Sequence, residues 1–341
     1  MKKKKMDRFA GVLGSILVLT GLAFLAVCVE PVSAASKNIV LKAVAYTAIE
    51  RKGAVGDIVY GIYIDTVNKR AKGELEIKYL GAGEVIPGRQ QMEACRNGVV
   101  DMVYMPGAYY QSMVPHGAAL GISQLTPWEE RESGFYDLIV EEHKKRAGVI
   151  PLGRTEYGVR FHIFSNKKIE KMADFKGLKF RSNAAYDPFF KKFGVVTVEL
   201  PSKEIYTAME RGLVVGFSMP VFISDRWQLH EVSKYRINPG FWNTPTMHFI
   251  NQKKFESLPV HLQNLLLETA KEIELKEITP LLNDFLAKED KRQLDAGMEF
   301  LEIPPDEVQQ YLEVTNGAKW QVLNRLLPED EVDKIRKMIT K

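Results

Sequence analysis

Arg181 has the clearest chemistry in this sequence. It follows the short apolar–polar–apolar run Leu178–Phe180, which predicts a strand delivering the arginine to its carboxyl end. A guanidinium stays charged and presents a planar fork of donors, which a carboxylate fits with two parallel hydrogen bonds. The same fork would serve a structural Asp or Glu, and spacing alone leaves both roles open. Asn183, two residues on, and Glu84, in the glycine-rich turn Gly81–Gly88, are further polar candidates. Asn183 could equally cap the helix expected near Pro188. The turn carrying Glu84 is no phosphate loop, because the Gly-Lys-Ser/Thr such a loop needs is missing.

Signatures of catalysis are absent: the chain has no HExxH, no GxSxG and no Cys–His pattern. Its six histidines (116, 143, 162, 230, 248 and 261) are scattered without metal-ligand spacing, and Cys28 and Cys95 form no CxxC. No metal and no cofactor is therefore expected. Cys95 lies on a helical pattern and should be a small buried residue. Two carboxylates paired across a cleft cannot be read from sequence, which keeps a secreted enzyme open as an alternative.

The elements that must hold Arg181 alternate strand and helix. After Leu178–Phe180 come helix signals at Pro188–Phe193, closed by Gly194, and then the β-branched strand VVTVEL. Pro201 opens the next helix, Ser202 is its expected N-cap, and Gly212 suits its C-cap. Short connections between alternating elements predict a parallel α/β sheet, whose ligands sit beyond the carboxyl ends of the strands. Upstream, Ile39–Tyr46, Leu75–Leu80 and Val99–Met105 read as strands, with helices over Gly56–Lys69 and Arg89–Asn97. A helix is expected from Trp128 to Arg146, its Glu-Glu-Arg-Glu start read as a solvated face. Val149–Tyr157 and Arg160–Ser165 look strand-like, and the chain is expected to cross to a second lobe near Gly158. Tyr235–Asn238 and Thr246–Asn251 would bring it back. From Leu258 to about Phe300 a broken apolar stripe predicts a long helix kinked at Pro280. At about 1.5 Å per residue it would extend about 60 Å, enough to brace both lobes; a dimerising coiled coil is the other reading. A last helix is expected over Glu329–Met338.

Charge excludes one class of partner. The overall balance is +4, but Lys2–Lys5 and Arg8 against Asp7 and Glu30 place +3 of it in the first 34 residues. The remainder carries no basic stripe, so nucleic acid is not an expected partner. The basic head, the uncharged stretch Phe9–Val29 and the small residues before Ala34 and Ala35 form a secretory signal. An uncleaved anchor is the alternative, because the apolar run approaches the roughly 20 residues that span a bilayer.

Four stretches in order, GAGEVIPGRQQMEACRNGVVDMVYM (81–105), DFKGLKFR (174–181), KEIYTAMERG (203–212) and FINQKKFESLP (249–259), resemble the extracytoplasmic solute-binding proteins of tripartite ATP-independent periplasmic (TRAP) transporters, dicarboxylate-binding (DctP) type. The resemblance covers most of the chain after residue 35. It implies a two-lobed α/β fold with central sheets, hinge strands and a long C-terminal helix bracing both lobes. The expected division is 36–157 with 247–288 for one lobe and 158–246 with 289–341 for the other, after a signal peptide at 1–35. It implies that Arg181 clamps the carboxylate of an organic acid, that Arg160 is a second binding arginine, and that the loaded protein docks on a TRAP membrane permease from the periplasm. The sequence departs from the family after the KEIY helix, where Val215-Gly216 replaces Asp-Gly and Ser218-Met219 offers neither the Glu-Trp of metal-using members nor an amide. A metal-bridged ligand and a sialic-acid-like substrate are thus disfavoured.

Aromatic residues gather around the expected cleft: Tyr109, Tyr110, Trp128, Phe217, Trp227 and Trp242, with Ser218 among them as a polar contact. Apolar walls with few polar groups suit small-molecule sites. The expected cargo is an apolar or aromatic monocarboxylate or keto acid. A sensor domain presenting the same pocket to a receptor is a third class of reading.

Overall fold

The computed structural model describes residues 38–49, 55–183, 185–223 and 227–340; the expected signal segment lies outside them. Eleven strands are described: β1 (Ile39–Ala45), β2 (Leu75–Gly81), β3 (Met102–Pro106), β4 (Val149–Arg154), β5 (Arg160–Ser165), β6 (Lys179–Ser182), β7 (Val196–Glu199), β8 (Gly216–Pro220), β9 (Tyr235–Asn243), β10 (Thr246–Asn251) and β11 (Glu299–Glu302). They form two sheets, one ordered β2-β1-β3-β10-β4 and the other β11-β9-β5-β8-β6-β7. β1 pairs in parallel with β2 and β3, the helices Val55–Arg70 and Gln91–Arg96 providing the crossovers. β10 then enters antiparallel between β3 and β4, although the whole run from β5 to β9 separates it from β4 in sequence. The chain therefore passes between sheets three times: at 154–160, at 243–246, and through the helical stretch 252–295 that ends in β11.

Strands covered on both faces need apolar residues at every position. β4 and β10 are buried throughout, and β3 and β8 at all but their last residue. One core is continuous through both sheets, joining Val103 and Met105 to Ile163 and Phe180 and to Tyr311, Ala318 and Leu323 of the helix Pro305–Leu326. The first sheet's other face buries Tyr60, Tyr63, Leu262, Leu266 and Leu282, and the second sheet's other face buries Phe164, Ile205, Met209 and Phe217.

Several expectations are corrected. The helix expected from Trp128 to Arg146 is two, Pro127–Glu132 and Phe135–Ala147, because Gly134 takes a left-handed φ of 75° between them. Its acidic start is a solvated face only in part, with Glu132 exposed and Glu129 half-exposed. Glu130 is fully buried, and both its carboxylate oxygens accept from Nη1 of the equally buried Arg154, at 2.5 and 2.6 Å. The long C-terminal helix widens into a π turn at Ile273–Glu277 between Val260–Glu272 and Ile278–Asp295. Pro280 accounts for this, since its ring displaces the carbonyl four residues back and it has no N–H to give. Past the turn the helix reaches the second sheet, where Asp290 meets Arg236 of β9 at 2.7 Å and Gln293 donates to the Val221 carbonyl at 2.8 Å. The helix Pro305–Leu326 and the short strand β11 are additions to the expected elements. The helix buries Thr315 and Ala318 along with Tyr311 and Leu323, too faint an apolar stripe to stand out.

Removing one partner of a buried ion pair strands the other charge. Glu130→Ala should therefore lower stability by about 3–5 kcal/mol in urea unfolding, through the orphaned Arg154. His248 on β10 gives a second expectation. Its ring lies 4.4 Å from that of Tyr63, neither ring nitrogen has a partner, and burial pushes its pKa from 6.5 down to about 3. The folded state thus holds it neutral while the unfolded chain takes up a proton below 6.5. This stabilisation is full above pH 6.5 and is lost toward pH 3, at up to about 1.4 kcal/mol per unit. His248→Phe should flatten the acid limb of a stability-versus-pH curve by that slope.

Candidate ligand-binding site

β6 runs parallel to β8 and β7, with Phe180 opposite Gly216 and Arg181 opposite Val198. Phe180 enters the core against Phe175 and Phe190. Alternation along the strand therefore turns Arg181 to the other face, toward the start of the next helix. There the side chain is only 2% exposed. Its Nε donates to the Leu200 carbonyl at 2.9 Å and its Nη2 to the Ser202 hydroxyl at 3.1 Å, while Nη1 is buried with no partner among the described residues. Burial pushes the guanidinium pKa down, opposed by the Tyr186 phenol and Glu199. Among the described residues no carboxylate is bonded to it. A buried cation with only neutral acceptors around it lacks the counter-charge that a buried guanidinium ordinarily has.

Ser202 is not the expected N-cap. The turn Ser202–Glu204 starts after Pro201 without a side-chain cap, and the hydroxyl instead takes Arg181. Leu200 and Ser202 form a bracket that fixes the guanidinium.

The other expected residues fall in different places. The Asn183 side chain accepts from the Ala185 N–H at 2.9 Å and its carbonyl accepts from Tyr186 and Asp187, so it shapes the turn after β6. That turn seats Tyr186, which sequence reading missed; its ring centre lies 5.9 Å from the Arg181 guanidinium carbon and 5.8 Å from Trp242, nearly parallel to the latter. Phe217 is a core residue rather than a cleft wall, fully buried and stacked on Phe164 at 5.3 Å. Ser218 is also fully buried but lies opposite Ile163 on the face away from Arg181. Trp227 is half-buried against the same core as Phe217.

On the first sheet, Tyr109 follows β3, half-buried and edge-on to Tyr46 at 5.8 Å, with Arg89 5.4 Å above its ring. Tyr110 is buried on His143 and Phe249, and Trp128 is exposed. Glu84 is exposed; the Ala82 N–H it accepts at 2.6 Å holds its carboxyl below the usual range. Arg160 begins β5, exposed and without an acidic partner among the described residues. It lines a cavity of about 550 Å³ with Ser123, His162, Asn243 and Asn316, and Arg181 is not on its walls. Among the described residues no three His, Cys, Asp or Glu gather as a metal site.

A family model described as bacterial extracellular solute-binding protein, family 7 (DctP), matches residues 63–321. The chain belongs to this family. Curated relatives include a monocarboxylate 2-oxoacid-binding periplasmic protein of Nostoc sp., 25% identical over 217 residues, covering 59% of this chain and 58% of that protein. A 2,3-diketo-L-gulonate-binding periplasmic protein of Escherichia coli is 25% identical over 214 residues, covering 61% of this chain and 65% of its own. The match spans less than two thirds of these relatives' lengths. The fold extends further. A TRAP periplasmic solute-binding protein from Desulfovibrio salexigens, with bound orotic acid, superposes with a TM-score of 0.75 at 20% identity, over 89% of this chain and 97% of the other. An extracytoplasmic solute receptor of Bordetella pertussis that binds pyroglutamic acid gives 0.73 at 15% identity, over 89% and 99%. These likenesses show the two-lobed architecture of TRAP solute-binding proteins. Family 7 is a family of extracytoplasmic solute receptors, and no helix among the described residues is long and apolar enough to cross a membrane.

The bracket gives its own expectation. Ser202→Ala would leave a second buried donor of Arg181 unsatisfied, a loss of about 1–3 kcal/mol. Urea unfolding of this variant beside Ser202→Thr, which keeps the hydroxyl, should show the loss in the first alone.

Proposed function

We propose that this protein captures a small organic acid on Arg181 and delivers it to a TRAP-type membrane permease. The observation that carries the reading is the buried guanidinium of Arg181, bonded to Leu200 and Ser202, with Nη1 left over and no carboxylate in contact. An incoming carboxylate supplies the missing acceptor and the missing charge. The names of the relatives agree in kind: 2-oxoacids, orotic acid and pyroglutamic acid all bring an acid group.

The cargo we infer is an apolar or aromatic monocarboxylate or keto acid. Tyr186, stacked with Trp242, lies beside the guanidinium, while Met219 stands at the end of β8 where a sugar acid would want an amide. Closure would bend the two strand crossings so that lobe 36–157 with 247–288 meets lobe 158–246 with 289–341. The ligand favours the closed form only by the contacts it gains there. The N-terminal segment 1–35 fits export to the periplasm as a signal peptide.

A thermal-shift screen of the chain from residue 36, over aromatic, keto and sugar acids, tests the cargo. Stabilisation by sugar acids alone would sink the apolar reading. With an acid that binds, Arg181→Ala should lose about 1.5–3 kcal/mol or more of affinity, roughly 10- to 150-fold in Kd, and Arg181→Lys should recover only part. Unchanged affinity in Arg181→Ala would remove the clamp. Recovery of the acid chemically intact after long incubation separates a receptor from a secreted enzyme. Pull-down of permease subunits separates transport from sensing.

A further inference from the structure

We propose that the cavity beside the Pro239–Asn243 edge of β9 is a second small-anion site, with Lys319 as its principal cation and a carboxylate or phosphate as its ligand. It lies apart from the Arg181 bracket and stands whether or not that reading holds.

The cavity exists because β9 loses a neighbour. β11 pairs with β9 only as far as Asn238, and beyond it the edge faces a space closed by the turn Gly121–Gln124 and the helix Pro305–Leu326. Its volume of about 550 Å³ suits a small ligand. The floor is tight: a Cβ on Gly240 would stand 2.6 Å from the His162 ring and 2.7 Å from the Arg160 Cβ, so the β9 backbone presses onto β5 only because this residue is glycine.

Lys319 stands on the same stripe of its helix as Leu312 and Asn316, which line the cavity; it is half-buried and packs against the wall formed by Gly121 and Trp242 rather than lining the space itself. Its Nζ is 4.5 Å from the ring centre of Trp242 and 3.6 Å from where a Cβ on Gly121 would be, and both residues are cavity walls. No acidic side chain pairs with it among the described residues. Burial alone draws its pKa from 10.5 down to about 8. The Trp242 ring gives the ammonium a cation–π contact but no counter-charge. Arg160, also without an acid, brings a second positive charge to the same walls. Asn243, 2% exposed, adds an acceptor: its Nδ2 donates to the Ser123 carbonyl at 3.2 Å, which fixes the amide's orientation, and its Oδ1 has no partner. Two cations and one acceptor suit an anion that carries a hydroxyl or a protonated oxygen. A lysine that merely covered an indole would need neither Arg160 nor Asn243.

Equilibrium dialysis of the chain from residue 36 against labelled inorganic phosphate, and separately against labelled acetate, tests this at ionic strength held constant with chloride. Saturable binding of one or both is expected; the stronger tells which anion chemistry the site prefers. The binding should persist in Arg181→Ala, weaken about tenfold or more in Lys319→Met, and return in Lys319→Arg. Asn316→Leu, which fills the cavity from the same helix face, gives a second blocked variant should Lys319→Met fail to fold. No saturable binding by the wild type overturns the site. So does equal binding by Lys319→Met, or by Asn316→Leu in its place. Loss of binding in Arg181→Ala overturns it too, assigning the anion to the clamp, whereas loss of organic-acid binding alone in that variant leaves this site standing.

Discussion

A buried cation must find negative charge, and this requirement separates the arginines of this chain. Among the described residues three are buried: Arg154, Arg181 and Arg236. Arg154 holds both oxygens of Glu130 and the Leu120 carbonyl. Arg236 holds Asp290 and Gln293 and covers the Phe300 ring at 3.5 Å. Each keeps a buried Nε without a hydrogen-bond partner among the described residues, but each has its counter-charge within the fold. Arg181 has a carbonyl, a hydroxyl and an unused donor. Alone of the three it has no carboxylate bonded to it among the described residues, and the proposed cargo would supply that charge.

Arg181 lies near the carboxyl end of a parallel strand, where backbone connections rather than side-chain layers fill the space. The two strand crossings are stitched together: Thr155 N–H donates to the Thr246 carbonyl at 3.2 Å and Thr244 N–H to the Val159 carbonyl at 3.0 Å. Glu156, fully buried between them, accepts from the Tyr104 hydroxyl at 3.1 Å and the Thr246 hydroxyl at 2.8 Å. In the closure proposed above, segments tied in this way would bend as a pair, and the core that runs unbroken through both sheets would resist their separation.

What the sequence made legible was local. The strand before Arg181, the helix stops at Gly194 and Gly212 and the α/β alternation are set by neighbours along the chain, and they formed as read. What it hid was decided by partners far away. Glu130 has the pattern of a helix-start acid, and its burial depends on Arg154, 24 residues on. Ser202 follows a proline at a helix start, the usual place for a cap, and its hydroxyl went to a side chain 21 residues back. Phe217 and Ser218 differ only in which face of β8 they occupy, and the register of Phe180 with Gly216 settles that. The helix Pro305–Leu326 buries a threonine and an alanine, so its inward face carries little apolar signature. A propensity reads the first kind of feature and has no access to the second.

Trp242 shows how closely the two proposed sites are built. One side of its ring packs near-parallel to Tyr186, beside the clamp; Lys319 sits over the same indole at 4.5 Å. Its Nε1 donates to the Thr315 carbonyl at 2.9 Å, pinning the ring to the helix that carries the lysine. The backbone here takes a φ of 25°, a conformation that a residue with a side chain adopts at a cost of about 1–3 kcal/mol. Contacts with Phe161, Phe189 and Phe241 over-determine the ring position and so sustain that strain. An indole held this firmly cannot yield to a ligand on one side without moving what it touches on the other. A single firmly held ring thus lines the proposed cavity and packs on the tyrosine beside the proposed clamp.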